Sequence, residues 1–152
     1  MLIRPATVHD TDAILELWLQ ASLKAHDFID EAFWREQLEA MRNLYLPSAE
    51  VHVCELDHEV KGFYARVGER LAALFVSPEA QGCGYGGQLL EHAKARCTPL
   101  SLTVYQRNQT SVAFYRRRGF VVIARQLDEA TGQPEYLMRY DGYPPPETQT
   151  PT

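Results

Sequence analysis

Gln81-Gly82-Cys83-Gly84-Tyr85-Gly86-Gly87 is a glycine-rich turn between an apolar run and a segment with helical spacing. The run before it, Leu71-Ala72-Ala73-Leu74-Phe75-Val76, has the unbroken hydrophobicity of a strand buried on both faces. Leu89, Leu90 and Ala93 after it recur as on one face of a helix, so the turn opens a helix. The first amides of a helix lack partners within it and lie at the positive end of its dipole. Glycines let the backbone close around an anion with no side chain in the way, and the expected ligand carries a pyrophosphate. Two other phosphate loops do not fit. A P-loop needs Lys and then Ser or Thr after its last glycine, whereas Gly86 is followed by Gly87 and Gln88. A dinucleotide fingerprint needs a third glycine and the first strand of a repeated βαβ unit, whereas Gly84 and Gly86 fall past the midpoint of the chain.

A second segment lies one strand downstream: Asn108-Gln109-Thr110-Ser111-Val112-Ala113-Phe114-Tyr115-Arg116-Arg117-Arg118-Gly119-Phe120. Gln-x-x-Gly-x-Gly at 81–86, followed by Asn108, Phe114-Tyr115 and Gly119-Phe120, resembles the acyl-CoA-binding and C-terminal motifs of the GNAT superfamily of N-acetyltransferases. Ile14-Leu15-Glu16-Leu17-Trp18-Leu19, His26-Asp27-Phe28-Ile29 and Val104-Tyr105-Gln106-Arg107-Asn108-Gln109 extend the resemblance to the YiaC-like branch of small bacterial acetyltransferases, over about residues 2–140.

Composition agrees with one enzyme domain. The 152 residues lie within the usual domain range and can bury a substantial core. Met1-Leu2-Ile3-Arg4-Pro5 does not read as a secretory leader, and no apolar run approaches the ~18 residues of a membrane span, so a cytoplasmic protein is expected. Cys54, Cys83 and Cys97 are an odd number at unrelated spacings, which reads as free thiols rather than disulfides or a zinc site. A formal charge of −5 disfavours nucleic acid and leans toward a cationic acceptor such as an amine, though it is also ordinary for a soluble protein.

Along the chain, Leu2–Ala6 reads as a strand, and Thr7-Val8-His9-Asp10 has the Thr-x-x-acid form that starts a helix. Ile14, Leu17, Trp18 and Ala21 define that helix; Trp34, Leu38, Met41 and Tyr45 define a second one ending before Pro47. Val51–Leu56 and Val60–Val67 are strands joined by Asp57-His58-Glu59, and the strand at 71–76 completes an antiparallel meander. Leu100, Leu102 and Val104 alternate as a fifth strand, Thr110–Arg118 is a short helix ended by Gly119, and Phe120–Ala124 with Tyr136–Tyr140 forms a hairpin. The result is a mixed α/β fold: a mostly antiparallel sheet of about seven strands with four helices, in one domain over residues 1–140. Residues 141–152, with Pro144-Pro145-Pro146, form a disordered Pro-rich tail.

The resemblance assigns roles. Backbone groups of Leu74, Phe75 and Val76 receive the pantetheine arm of acetyl-CoA, and Gln81, Gly82, Cys83, Gly84, Tyr85, Gly86 and Gly87 hold its pyrophosphate. Gln81 stands where the family often has Arg, so it offers polar contact rather than charge; Tyr85 stands where an aliphatic residue is commoner. Asn108 contacts CoA, or starts the last helix, or does both. Tyr115 is the catalytic residue: a phenol, protonated at neutral pH, relieves the departing thiolate. His26 and Phe28 form the acceptor-side wall, while Trp34 reads as core. A general base is less visible. The strand at 71–76 has no carboxylate, which leaves Glu69, Glu55, His26 or a water chain. No metal is required: the histidines show no HExxH-like spacing to support a zinc mechanism, and no Ser-His-Asp or catalytic Cys motif supports a covalent one. The reading is transfer of acetyl from acetyl-CoA directly to a primary amine, with protein lysine implied by the YiaC-like resemblance. A small-molecule amine acetyltransferase and a non-catalytic acyl-CoA sensor are the alternatives, and monomer or homodimer stays open.

Overall fold

The computed structural model describes residues 1–142. Most of the expected 141–152 tail therefore lies outside the described residues. The chain divides into two compact units, Met1–Arg96 and Cys97–Thr152, each taken in turn.

The first unit begins with β1 (Leu2–Pro5) and a short turn of helix at Val8–Asp10, where Thr7 and Asp10 form the expected capping box. The Arg4 guanidinium lies 2.8 Å from both Asp10 and Glu55, which ties β1 to the start of the next helix and to β2. That pairing holds the Asp10 carboxyl down at about 2. Helix α1 (Thr11–Ala25) buries Ile14, Leu17, Trp18 and Ala21 as expected, and also Leu15, Leu19 and Ser22.

The second expected helix is broken. It forms α2 (Glu31–Glu36), then α3 (Leu38–Ala40), and continues into a π turn at Met41–Tyr45 closed by the Leu46 amide on the Met41 carbonyl at 3.0 Å. The wider turn shifts the side-chain register. Met41 stays buried, but Tyr45, expected on the apolar face, is 51% exposed.

Strands β2 (Glu50–Leu56), β3 (Glu59–Val67) and β4 (Arg70–Val76) follow, and the order β1-β2-β3-β4 is antiparallel throughout. Leu56 pairs with Glu59, leaving a two-residue loop at Asp57 and His58 with φ of 53° and 65°. Both are left-handed, as the tight hairpin turn matched to strand twist requires. Helix α4 (Tyr85–Arg96) packs on β3 and β4. At Gly62 a Cβ would lie 3.0 Å both from the tip of the Leu89 side chain on α4 and from the Phe75 carbonyl of β4. Beside it, Tyr64 donates to or accepts from His92 Nδ1 at 2.7 Å and stacks on His52 with ring centroids 5.1 Å apart.

The second unit contains β5 (Leu100–Tyr105), α5 (Gln109–Arg117), β6 (Val121–Leu127) and β7 (Pro134–Tyr140). Its strands run in the order β5-β7-β6, again antiparallel, and both hairpin strands are longer than their apolar runs suggested. Leu100, Leu102 and Val104 alternate inward on β5 to meet a core that includes Tyr115, Phe120 and Met138. Seven strands, mostly antiparallel, with helices between them make the expected mixed α/β fold.

Candidate functional site

In the first unit, β4 delivers the chain to the glycine turn. Its apolar run is not buried on both faces as expected: Leu71 is, Ala72 is exposed, and Ala73 through Val76 are half-buried. Continuous hydrophobicity marked the strand, but could not tell a closed surface from one left partly open to solvent. After Val76 the chain passes through a turn of helix at Pro78–Ala80 and reaches Gly82 and Gly84, with φ of 85° and 87°. A Cβ at either position would meet nothing within 4 Å, so left-handed backbone rather than crowding requires glycine there. The Gly84 carbonyl accepts the Gln88 amide at 3.2 Å and so begins the first turn of α4. Tyr85, Gly86 and Gly87 occupy that first turn and are half-buried; Gln81 and Cys83 are exposed. Free helical amides at the end of an open glycine turn form a cradle suited to phosphate oxygens.

Gln81 is held from two sides. Its amide nitrogen donates to the Val76 carbonyl at 3.1 Å, closing the turn onto the end of β4, and its amide oxygen accepts from Lys24 at 3.0 Å. The structure therefore brings Val76 and the first residue of the glycine motif together, while Leu74 and Phe75 lie farther back along the same strand.

His26 caps the C-terminus of α1 and is 7% exposed. Its ring stacks on Trp34 at 5.2 Å and meets Phe28 edge-on at 5.8 Å; Trp34 in turn meets Trp18 edge-on at 5.7 Å. Burial pushes the imidazole down to about 4, which keeps it neutral. Its carbonyl accepts the Ile29 amide at 3.0 Å, so His26 anchors the connection that presents half-buried Phe28. Glu55 is engaged by Arg4, and Glu69 is exposed in the turn before β4.

In the second unit, Asn108 caps α5 by accepting the Ser111 amide at 3.2 Å. The far end of α5 is closed by Gly119, with φ of 93°. The Phe120 amide reaches the Tyr115 carbonyl at 3.1 Å and the Gly119 amide reaches the Arg116 carbonyl at 3.2 Å. This is a Schellman cap, and its customary apolar contact is the pair of rings Tyr115 and Phe120, 5.5 Å apart. The Tyr-x-x-x-Gly-Phe spacing is thus a device for seating one tyrosine. Tyr115 is 9% exposed, and burial raises its phenol above the ordinary range, so the proton stays on.

Two groups escaped the sequence reading. Lys24 and Gln81 meet across 57 positions, and no periodicity signals such a contact. His52, Tyr64 and His92 converge from two strands and a helix; burial pushes the Tyr64 phenol up to about 12 and both imidazoles down. Alternation along β2 and β3 could have placed His52 and Tyr64 on one face, but not His92 over them. Among the described residues no group of three or more His, Cys, Asp or Glu is placed to hold a metal, and no helix is long and apolar enough to cross a membrane.

The acetyltransferase (GNAT) domain family matches residues 13–140. The chain belongs to the GNAT acetyltransferases. This GNAT chain is 36% identical over 140 residues to the peptidyl-lysine N-acetyltransferase YiaC of Escherichia coli K12, covering 91% of this chain and 96% of YiaC. It is 33% identical over 138 residues to the peptidyl-lysine N-acetyltransferase YjaB of the same organism, covering 90% and 92%. The solution structure of apo YjaB superposes with a TM-score of 0.82 at 28% identity, covering 93% of this chain and 98% of that one. The same fold recurs in the PaiA N-acetyltransferase of Thermoplasma acidophilum, crystallised with coenzyme A, at a TM-score of 0.75 and 19% identity over 92% and 98% of the two chains. The GNAT fold binds acetyl-CoA, and this chain is an N-acetyltransferase.

Proposed function

We propose that the enzyme takes acetyl from acetyl-CoA and transfers it to lysine side chains of proteins in the cytoplasm, residues 1–140 acting as one catalytic domain. The observation that carries the donor half is the turn at Gly82 and Gly84: two left-handed glycines, open to solvent, directly before a helix of 12 residues. Amides from Gly82 to Gly87 hold the pyrophosphate, with Cys83 and Tyr85 lining the turn. The half-buried backbone of Leu74, Phe75 and Val76 receives the pantetheine arm, and a β4 amide steadies the oxyanion of the tetrahedral intermediate. The amine attacks the thioester carbon directly. Tyr115, protonated and rigidly capped, hands its proton to the departing thiolate, and Asn108 holds the start of α5 while contacting CoA. The acceptor's proton leaves through water, since Glu55 is committed to Arg4. Phe28 lines the acceptor's approach, and His26 acts through its ring and backbone rather than as a base.

Lysine is favoured as the acceptor because the YiaC and YjaB relatives, both named peptidyl-lysine N-acetyltransferases, align over nine-tenths of this chain. Acetyl transfer to mixed lysine peptides and to small amines, followed by mass spectrometry for wild type and Tyr115→Phe, tests the reading. Peptide acetylation that collapses in the variant supports it. Transfer confined to small amines moves the acceptor to metabolism, and no transfer with either acceptor defeats it.

A further inference from the structure

The donor is a polyanion, yet the first motif position carries neutral Gln81 and the chain carries a net charge of −5. An acidic protein that captures pyrophosphate gains from a local positive charge to offset its own field. Three lysines are present in the chain. The Lys61 ammonium lies 2.7 Å from Glu59 and 4.0 Å from Glu79, and Lys94 lies 3.1 Å from Glu91. Lys24 is different. It stands in the last turn of α1, which packs against the Pro78–Ala80 turn, and no carboxylate pairs with it among the described residues. Its ammonium donates instead to a neutral amide oxygen, that of Gln81, at 3.0 Å.

Resting on the acetyl-CoA reading above, we infer that Lys24 is a donor-binding residue: it supplies, from α1, the charge for the pyrophosphate that Gln81 lacks. The Gln81 side chain acts as the bracket. One end is bonded to the Val76 carbonyl, and the other aims an exposed ammonium at the rim of the glycine turn. An ammonium holds three donors, and the bond to Gln81 spends one of them. A cation here also complements the C-terminal end of the α1 dipole, so a purely structural role must be separated from a binding one.

The test is equilibrium binding and steady-state kinetics with acetyl-CoA and with S-acetylpantetheine, which lacks the pyrophosphate, for wild type, Lys24→Gln and Lys24→Arg. Lys24→Gln is expected to raise the acetyl-CoA Kd about three- to tenfold at low salt, by an amount that shrinks as salt screens the charge. Lys24→Arg should recover most of the loss, and kcat/KM for S-acetylpantetheine should match wild type. An unchanged acetyl-CoA Kd in Lys24→Gln overturns the inference, as does an equal loss with both donors, which would mean that Lys24 only props the turn. If wild type itself fails to bind acetyl-CoA, the functional reading falls and takes this inference with it; wild-type binding with a silent Lys24→Gln removes the inference alone.

Discussion

The turn at 81–87 and the capped helix α5 are both signature sequences, yet they spend their residues in opposite ways. In the turn the proposed working groups are backbone amides, four of the seven residues are glycines, and positions 81–84 are exposed. In α5 the proposed working group is one side chain, Tyr115, and the surrounding residues frame it: Asn108 starts the helix, Gly119 ends it, and Phe120 packs against Tyr115. A site that binds through amides needs unusual φ angles, whereas one that transfers a proton needs a shielded group whose pKa its surroundings control. Each region should therefore fail in its own way.

Tyr115→Phe removes the proposed proton donor while keeping the ring that packs in the helix cap. We expect kcat to fall about 10²- to 10³-fold while the acetyl-CoA KM and the melting temperature stay near wild type. Steady-state kinetics beside thermal unfolding checks this, and a matching rise in donor KM would dissolve the distinction between the regions.

The connection after α1 adds an acid-range titration to the comparison. His26 is held down to about 4 in the folded chain against an ordinary value near 6.5, so protonation favours unfolding. The stability it contributes is complete above about pH 6.5 and is lost as pH falls toward 4, by roughly 3 kcal/mol at most. The lowered His52 and His92 act in the same direction. Urea unfolding at pH 7 and pH 4.5 should show a clearly smaller acid loss in His26→Phe than in wild type.

Gly84→Ala and Gly119→Ala form a matched pair. Both positions are left-handed, at 87° and 93°, so each substitution carries about 1–2 kcal/mol of backbone strain. The first should raise the acetyl-CoA KM about tenfold with little effect on kcat; the second should disturb the seat of Tyr115 and lower kcat more than it alters KM. Similar profiles from the two variants would break the comparison. The smallest effect is that of Asn108→Ala, where loss of the cap costs about 1 kcal/mol of stability, with any further rise in donor KM measuring its contact with CoA.

The same contrast explains what could be read in advance. Glycine turns, caps and strand alternation are local, and the turn at Gly82-Gly84, the Thr7–Asp10 box, the hairpin at Asp57-His58 and the α5 boundaries all follow from residues a few positions apart. Features made by distant neighbours were hidden. The Lys24–Gln81 bond and the His52–Tyr64–His92 group depend on which helix lies over which strand. At Met41–Tyr45, four apolar positions at helical spacing gave no sign that a π turn would swing Tyr45 into solvent. The catalytic assignment of Tyr115 came from its resemblance; the structure adds the capping physics that makes its spacing necessary.

Gly62 sits in β3, outside both signatures, where the Leu89 side chain of α4 and the Phe75 carbonyl of β4 leave no room for a Cβ. It works as a shim of zero thickness. Even one methyl group would have to push aside the tip of Leu89 or the Phe75 carbonyl by a few tenths of an ångström, and the glycine turn is attached to the leading end of the helix that carries Leu89. A Gly62→Ala substitution is therefore expected to be felt at the glycine turn, from a position that a search of the turn itself would never visit.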